Sequence, residues 1–186
     1  VWRKSSEIGA GYYNDTDIAE TLLTIRPKPT TDNNPLRLGI SEESIVSKSP
    51  WSAAKTMNSL PYIMAARECR RCVADDLLIL NPAGEVAEAI SSNVFAFING
   101  EWITPELGSG CVNGVMRQFI LEQSWDYPCR PASIQADSLH LASAMFLSSS
   151  TGCKPVSLLN DVEMDADFAI QFINRIHGRV CENKKP

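Results

Sequence analysis

Lys55, in Pro50-Trp51-Ser52-Ala53-Ala54-Lys55-Thr56-Met57-Asn58, is the first residue whose type and setting could do covalent chemistry. A lysine in largely apolar surroundings reduces the cost of its charge by shedding a proton. Its free amine is then both a nucleophile and a general base. Downstream, Glu88 opens the segment Glu88-Ala89-Ile90-Ser91-Ser92-Asn93-Val94-Phe95. Alternation along Val86-Ala87-Glu88 would put Glu88 on the opposite strand face from Ala87. Two further segments could take an anion. Gly114-Val115-Met116 begins a helical pattern, where free N–H groups and the helix dipole favour negative charge and glycine allows close approach. Val115 and Met116 would offer backbone N–H groups there. Ser148 to Thr151 offers hydroxyls and turn N–H groups, with Ser150 the candidate ligand. Taken singly, each has a bland reading: a solvated lysine, a solvent-facing glutamate, a polar turn.

Taken together they do not. Lys55-Thr56-Met57-Asn58, the Glu88 to Phe95 segment, Thr104-Pro105 and Val112-Asn113-Gly114-Val115-Met116-Arg117-Gln118-Phe119 follow one another in an order and at a spacing that resemble the class IV aminotransferases. These are the fold-type-IV pyridoxal phosphate (PLP) enzymes, and the resemblance runs from about Val1 to about Val156. It implies PLP as cofactor, Lys55 as the Schiff-base lysine, and Glu88 as the acid that keeps the pyridine nitrogen protonated. It also implies a phosphate site on Val115, Met116 and Ser150, and no metal. Within the family, Val112 to Phe119 looks most like the 4-amino-4-deoxychorismate lyases. The implied reaction yields 4-aminobenzoate and pyruvate. An aminotransferase for D-amino or branched-chain amino acids, or a non-catalytic fragment, is the alternative.

The resemblance also sets departures. Met116 stands where many relatives have Thr, so only its N–H could serve a phosphate. Ala10 stands in the Gly9-Ala10-Gly11 turn where relatives often carry a carboxylate-binding arginine, leaving Arg3, Lys4 or a group outside this chain for that task. A complete family member has a small N-terminal domain of ~90 residues ahead of this region. The chain is therefore expected to be the large domain, 1–181, with a charged tail over 182–186. A homodimer is the expected assembly, because relatives wall the pocket partly with the other subunit.

Composition is compatible with this. The 186 residues are 44% hydrophobic and 21% charged, which suits a globular domain with a full core. A net charge of −5 argues against nucleic-acid or anionic-membrane partners. No apolar run approaches the ~18–20 residues that span a bilayer. The six cysteines form no dense framework, which suggests free thiols in a reducing cytoplasm. Cys69-Arg70-Arg71-Cys72 has no second ligand pair and reads as two thiols on one helix.

The elements that would position these residues are a mixture. Strands are expected over Val1 to Tyr13 (with a turn), Leu22 to Arg26, Leu36 to Ile40, Ser44 to Val46, Leu77 to Leu80 and Glu85 to Ala89. Val94 to Ile98, Asn99-Gly100 and Glu101 to Ile103 predict a hairpin on a type I′ turn. Helices are expected over Ser59 to Val73, Val115 to Glu122, Ser138 to Met145 and Asp165 to His177, the last closed by Gly178. Met145 to Leu147 and Val156 to Leu159 complete the strands. Mixing without strict alternation predicts an α/β (mixed α+β) fold, a mixed sheet or pseudo-barrel with packed helices.

Overall fold

A computed structural model describes residues 2–5, 19–25 and 34–182. The chain divides into two compact units, 1–31 and 32–186. In the first, β1 (Trp2–Ser5) pairs antiparallel with β2 (Ala19–Leu22). The second strand thus lies earlier than the expected Leu22 to Arg26, and Leu23 to Ile25 follow it as exposed coil. The Gly9-Ala10-Gly11 turn falls outside the described residues.

The second unit is built on a nine-stranded mixed sheet. Its strands are β3 (Leu36–Ile45), β4 (Asp76–Leu80), β5 (Val86–Ala89), β6 (Asn93–Ile98), β7 (Glu101–Pro105), β8 (Cys129–Ala132), β9 (Ala144–Ser149), β10 (Gly152–Leu159) and β11 (Val162–Glu163). Their order is β5-β4-β3-β10-β9-β6-β7-β8, with β11 on β10. The β3–β4, β3–β10 and β7–β8 pairs are parallel and the others antiparallel. β10 therefore joins two half-sheets, β5-β4-β3 and β9-β6-β7-β8. The far edges also meet. Val86 N–H donates to Ile134 O (2.8 Å), Ala136 N–H to Gly84 O (3.0 Å), and Glu85 bridges Gln135. This curls the sheet into the expected pseudo-barrel.

Alternation sorts the side chains onto two faces. Val94, Ala96, Met145, Leu147, Leu78 and Val156 fill one core. On the opposite face Phe95, Trp102 and Phe146 pack under α2 (Val115–Glu122) and α3 (Ala166–Glu182), meeting Ile120, Phe172, Ile173 and Ile176. Trp102 stacks on Phe172 at 5.0 Å, and Phe95 on Phe146 at 4.8 Å. A smaller cluster, Val46, Ala65, Ile79 and Ala87, seats α1 (Leu60–Cys69) on β4 and β5.

Several boundaries differ from expectation for local reasons. The two short strands at 36–46 are one strand with an irregularity between Ile40 and Ile45, where Ser44 N–H bonds Ser41 Oγ. Helix α1 stops at Cys69, so Cys72 sits in the following turn and donates its thiol proton to Cys69 O. Its stripe of Leu60, Ile63 and Met64 faces outward, and Ala65 is the buried residue. In place of a helix over Ser138 to Met145 there is a 3₁₀ segment, Ala136–Leu141, followed after two residues by β9. Leu139, Ala142 and Met145 are all buried in one core, which mimics helical spacing. Gly178 lies inside α3, because Val180 still packs on the aromatic core; that contact outweighs the ~1 kcal/mol a helical glycine costs. β8 went unread because Pro131 interrupts it, which an edge strand tolerates. The Asn99-Gly100 turn is as expected, with φ of 52° and 84°. All six cysteines are free.

Candidate active site

The backbone decides where Glu88 points. Ile79 pairs with Glu88 and Leu78 with Ala89, but Leu80 pairs with Val86. Ala87 is thus an extra residue, a β-bulge. Ala87 packs with Ile79 beneath α1, while Val86 and Ala89 face the barrel core. Residues paired across strands share a face. Glu88 therefore sits on the α1 side together with Ala87, and not opposite it as simple alternation predicts.

There Glu88 is 4% exposed and accepts three hydrogen bonds. Tyr62 on α1 donates its hydroxyl to Oε1 at 2.6 Å. Val112 N–H reaches Oε2 at 3.2 Å and Asn93 Nδ2 reaches it at 3.3 Å. Burial pushes the Glu88 carboxyl above its usual range, against the Tyr62 and Val112 donors and the positive charges of Lys55 and Arg117. Burial, then the neighbouring Glu88 carboxylate, pushes the Tyr62 hydroxyl far above its ordinary value. The proton of this pair stays on the tyrosine.

Glu88 lines a cleft of about 290 Å³ whose walls also include Lys55, Tyr62, Asn93, Val112 to Val115 and Ser148 to Ser150. Four of the five residues singled out from the sequence, Lys55, Glu88, Val115 and Ser150, therefore share one cavity. Lys55 sits exposed on the Pro50 to Asn58 loop, not in the apolar setting expected of it. Its Nζ lies 5.6 Å from the centre of the Tyr62 ring, within reach of a cation–π attraction. Met116 turns its side chain into the aromatic core with Phe119 and Trp125. Only its N–H, in the first turn of α2, remains available to a ligand.

The floor of the cleft is locally determined. Asn93 bonds Val112 O at 2.8 Å as well as Glu88, tying the acid to the approach to α2. A Cβ on Gly114 would run into Asn93 Oδ1, so any side chain here would push Asn93 off its bonds to Glu88 and Val112. Thr104 Oγ1 bonds Val94 O, and Arg117 donates to Pro105 O (2.8 Å) and Asn113 Oδ1 (3.1 Å). The Thr104-Pro105 pair thus divides its work: Thr104 ties β7 to β6, and Pro105 O anchors a buried arginine under the Val112 to Gly114 bend. Ser148, facing the cleft opposite Asn93 in the β6–β9 register, is 1% exposed, and its Oγ has no hydrogen-bond partner among the described residues. Ser150 sits exposed in the β9–β10 turn.

The residues fit PLP. A buried carboxylate, an amine, a glycine-led helix start and an unpartnered buried hydroxyl lining one cleft match the donor set that a phosphorylated pyridine aldehyde requires. Tyr62 escaped the sequence reading. Its signal was spacing: Tyr62, Ala65, Ala66 and Cys69 mark the small-residue face of α1, opposite the more conspicuous Leu60, Ile63 and Met64 stripe.

Comparison with known proteins agrees with this geometry. Residues 1–159 match the family described as amino-transferase class IV. A Schizosaccharomyces pombe protein named as an aminodeoxychorismate lyase is 30% identical over 145 residues, covering 75% of this chain and 63% of its own. A Thermotoga maritima protein named as a branched-chain-amino-acid aminotransferase is 33% identical over 163 residues, covering 83% and 58%. Among solved structures, the branched-chain aminotransferase of Thermoproteus uzoniensis with norvaline superposes with a TM-score of 0.73 at 25% identity, over 82% of this chain and 53% of that one. This chain thus spans about 60% of the length of these curated relatives. With the motifs on one cleft and the family matched over most of its length, the chain belongs to the class IV aminotransferases.

Proposed function

We propose that the protein containing this chain is a PLP-dependent lyase that converts 4-amino-4-deoxychorismate to 4-aminobenzoate and pyruvate. The observation that carries it is the Val112 to Phe119 segment. This is the stretch most like the lyases, and its first four residues form the floor of the cleft beside Glu88 and Lys55. Relatives named for both activities support the family reading equally.

Bound PLP would supply an electron sink for the substrate carbon that carries the amine. Lys55 would hold the cofactor until the substrate amine takes its place, and the amine of Lys55 so freed would then take the proton from that carbon. The bond from the ring to the enolpyruvyl oxygen breaks as the ring becomes aromatic. Lys55 returns the proton to the departing methylene, giving pyruvate; no second substrate enters the balance. Glu88 would keep the pyridine nitrogen protonated. The first N–H groups of α2 and the Ser148 hydroxyl would receive the phosphate.

The test supplies 4-amino-4-deoxychorismate alone to the full-length protein and follows 4-aminobenzoate and pyruvate. A lyase turns over repeatedly without a keto acid. A transaminase stops after one half-reaction, and rapid exchange between D-alanine or leucine and 2-oxoglutarate without aromatic product would overturn the lyase reading. Borohydride reduction followed by peptide mapping is expected to fix the cofactor on Lys55; modification at Lys48 or Lys154 would reject that role.

A further inference from the structure

We propose that Tyr62 is a positioning residue whose hydroxyl holds the Glu88 carboxylate in one orientation, as an anion, against the cleft. The inference rests on the reading of Glu88 as the acid of a PLP site. It adds a residue that none of the sequence motifs contains.

Three observations carry it. First, the Tyr62 to Glu88 contact, at 2.6 Å, is much shorter than the bonds from Val112 and Asn93, and in the range of charge-assisted O–H···O⁻ bonds. Second, the donors are divided. Val112 and Asn93 both serve Oε2, whereas Tyr62 serves Oε1. Without the hydroxyl, one oxygen of a buried carboxylate loses its donor and the group is free to rotate. Third, Tyr62 is wedged between the acid and the lysine. Together with Lys55 and Val112 it separates the 290 Å³ cleft from a second cavity of about 150 Å³ beneath the Ser47 to Ser59 loop. One side chain therefore touches both chemical ends of the site.

The electrostatics run the same way. Burial drives Glu88 toward its neutral form, and the Tyr62 bond leads the opposing influences, ahead of Val112 N–H, Lys55 and Arg117. Burial, Glu88 and Cys111 all keep the proton on Tyr62, so it acts as a donor and not as an acid. A Glu88 that took up a proton would compete with the pyridine nitrogen it is placed to serve.

The experiment uses the full-length protein with ¹³C-labelled glutamate carboxyls, the Glu88 signal being identified by its loss in Glu88→Gln. In cofactor-free Tyr62→Phe, the Glu88 titration is expected to move up by at least about one unit, a tenfold change in proton affinity. PLP is expected to bind about tenfold more weakly, as for loss of a hydrogen bond to a charged group. Placing 3-fluorotyrosine at position 62 keeps the hydroxyl and makes it a stronger donor. The Glu88 titration should then move down, which preserves the test if Tyr62→Phe fails to fold. A Glu88 titration unmoved by either change overturns the proposal, as does a moved titration with unaltered PLP affinity. If the titration moves while the unaltered protein binds no PLP, Tyr62's hold on Glu88 is upheld and the functional reading falls.

Discussion

Replacing Glu88 by glutamine removes a charge and keeps the shape. A neutral amide cannot hold a proton on the pyridine nitrogen, and loss of one such electrostatic contact costs on the order of 3 kcal/mol, about a hundredfold in turnover. Steady-state rates at confirmed cofactor occupancy measure it, and a rate within twofold of the parent would show that Glu88 does not face the ring. The same variant has a signature in the cofactor-free protein. Glu88 in the fold titrates above its ordinary 4.5. Its contribution to stability is therefore full below that value and is lost as pH rises through the folded one. Glu88→Gln is expected to flatten that part of the pH profile of urea midpoints. At this scale the sequence was most informative where chemistry restricts residue type: Lys55 and Glu88 reach one cleft. It was silent on Tyr62 and on the unpartnered Ser148, because their meaning depends on which side chains the fold brings opposite them.

At the level of elements, the hairpin at Asn99-Gly100 and the helix Val115–Glu122 were legible because each depends on local rules, a left-handed turn pair and a glycine-led start. The approach to β9 was misread as helix because it buries Leu139, Ala142 and Met145, a choice made by the rest of the core, while the strand itself was legible over Met145 to Leu147. The bulge at Ala87 was invisible for the same reason: only pairing with Ile79 and Leu80 reveals the extra residue. It also yields a sharp expectation. Deleting Ala87 restores simple alternation with every other side chain where it is: Val86 and Ala89 stay in the barrel core and Glu88, still paired with Ile79, stays on the α1 side. What is lost is the Ala87 contact that helps seat α1. The deletion is therefore expected to lower the melting temperature and yet retain PLP binding. Loss of PLP binding in a folded deletion variant, measured by absorbance titration, would show that the bulge itself orients the acid.

For the whole molecule, Leu60, Ile63 and Met64 form an outward apolar face on α1, with Trp51 and Met57 exposed on the preceding loop. Such a surface close to a ligand cleft favours a subunit contact, and the full-length protein is expected to sediment as a homodimer at micromolar concentration. A monomer retaining activity would remove that expectation. The sheet order has a bearing on how this site comes into being. In chain order, β3 to β9 supply both half-sheets, Glu88 on one and Asn93 and Ser148 on the other. β10, encoded after them all, is the strand that pairs with both β3 and β9. Nascent chains that stop before Gly152 would thus hold every motif residue named above and still lack the wall that aligns them. Competence for the cofactor is therefore expected late in synthesis, with a strand that carries none of the chemistry.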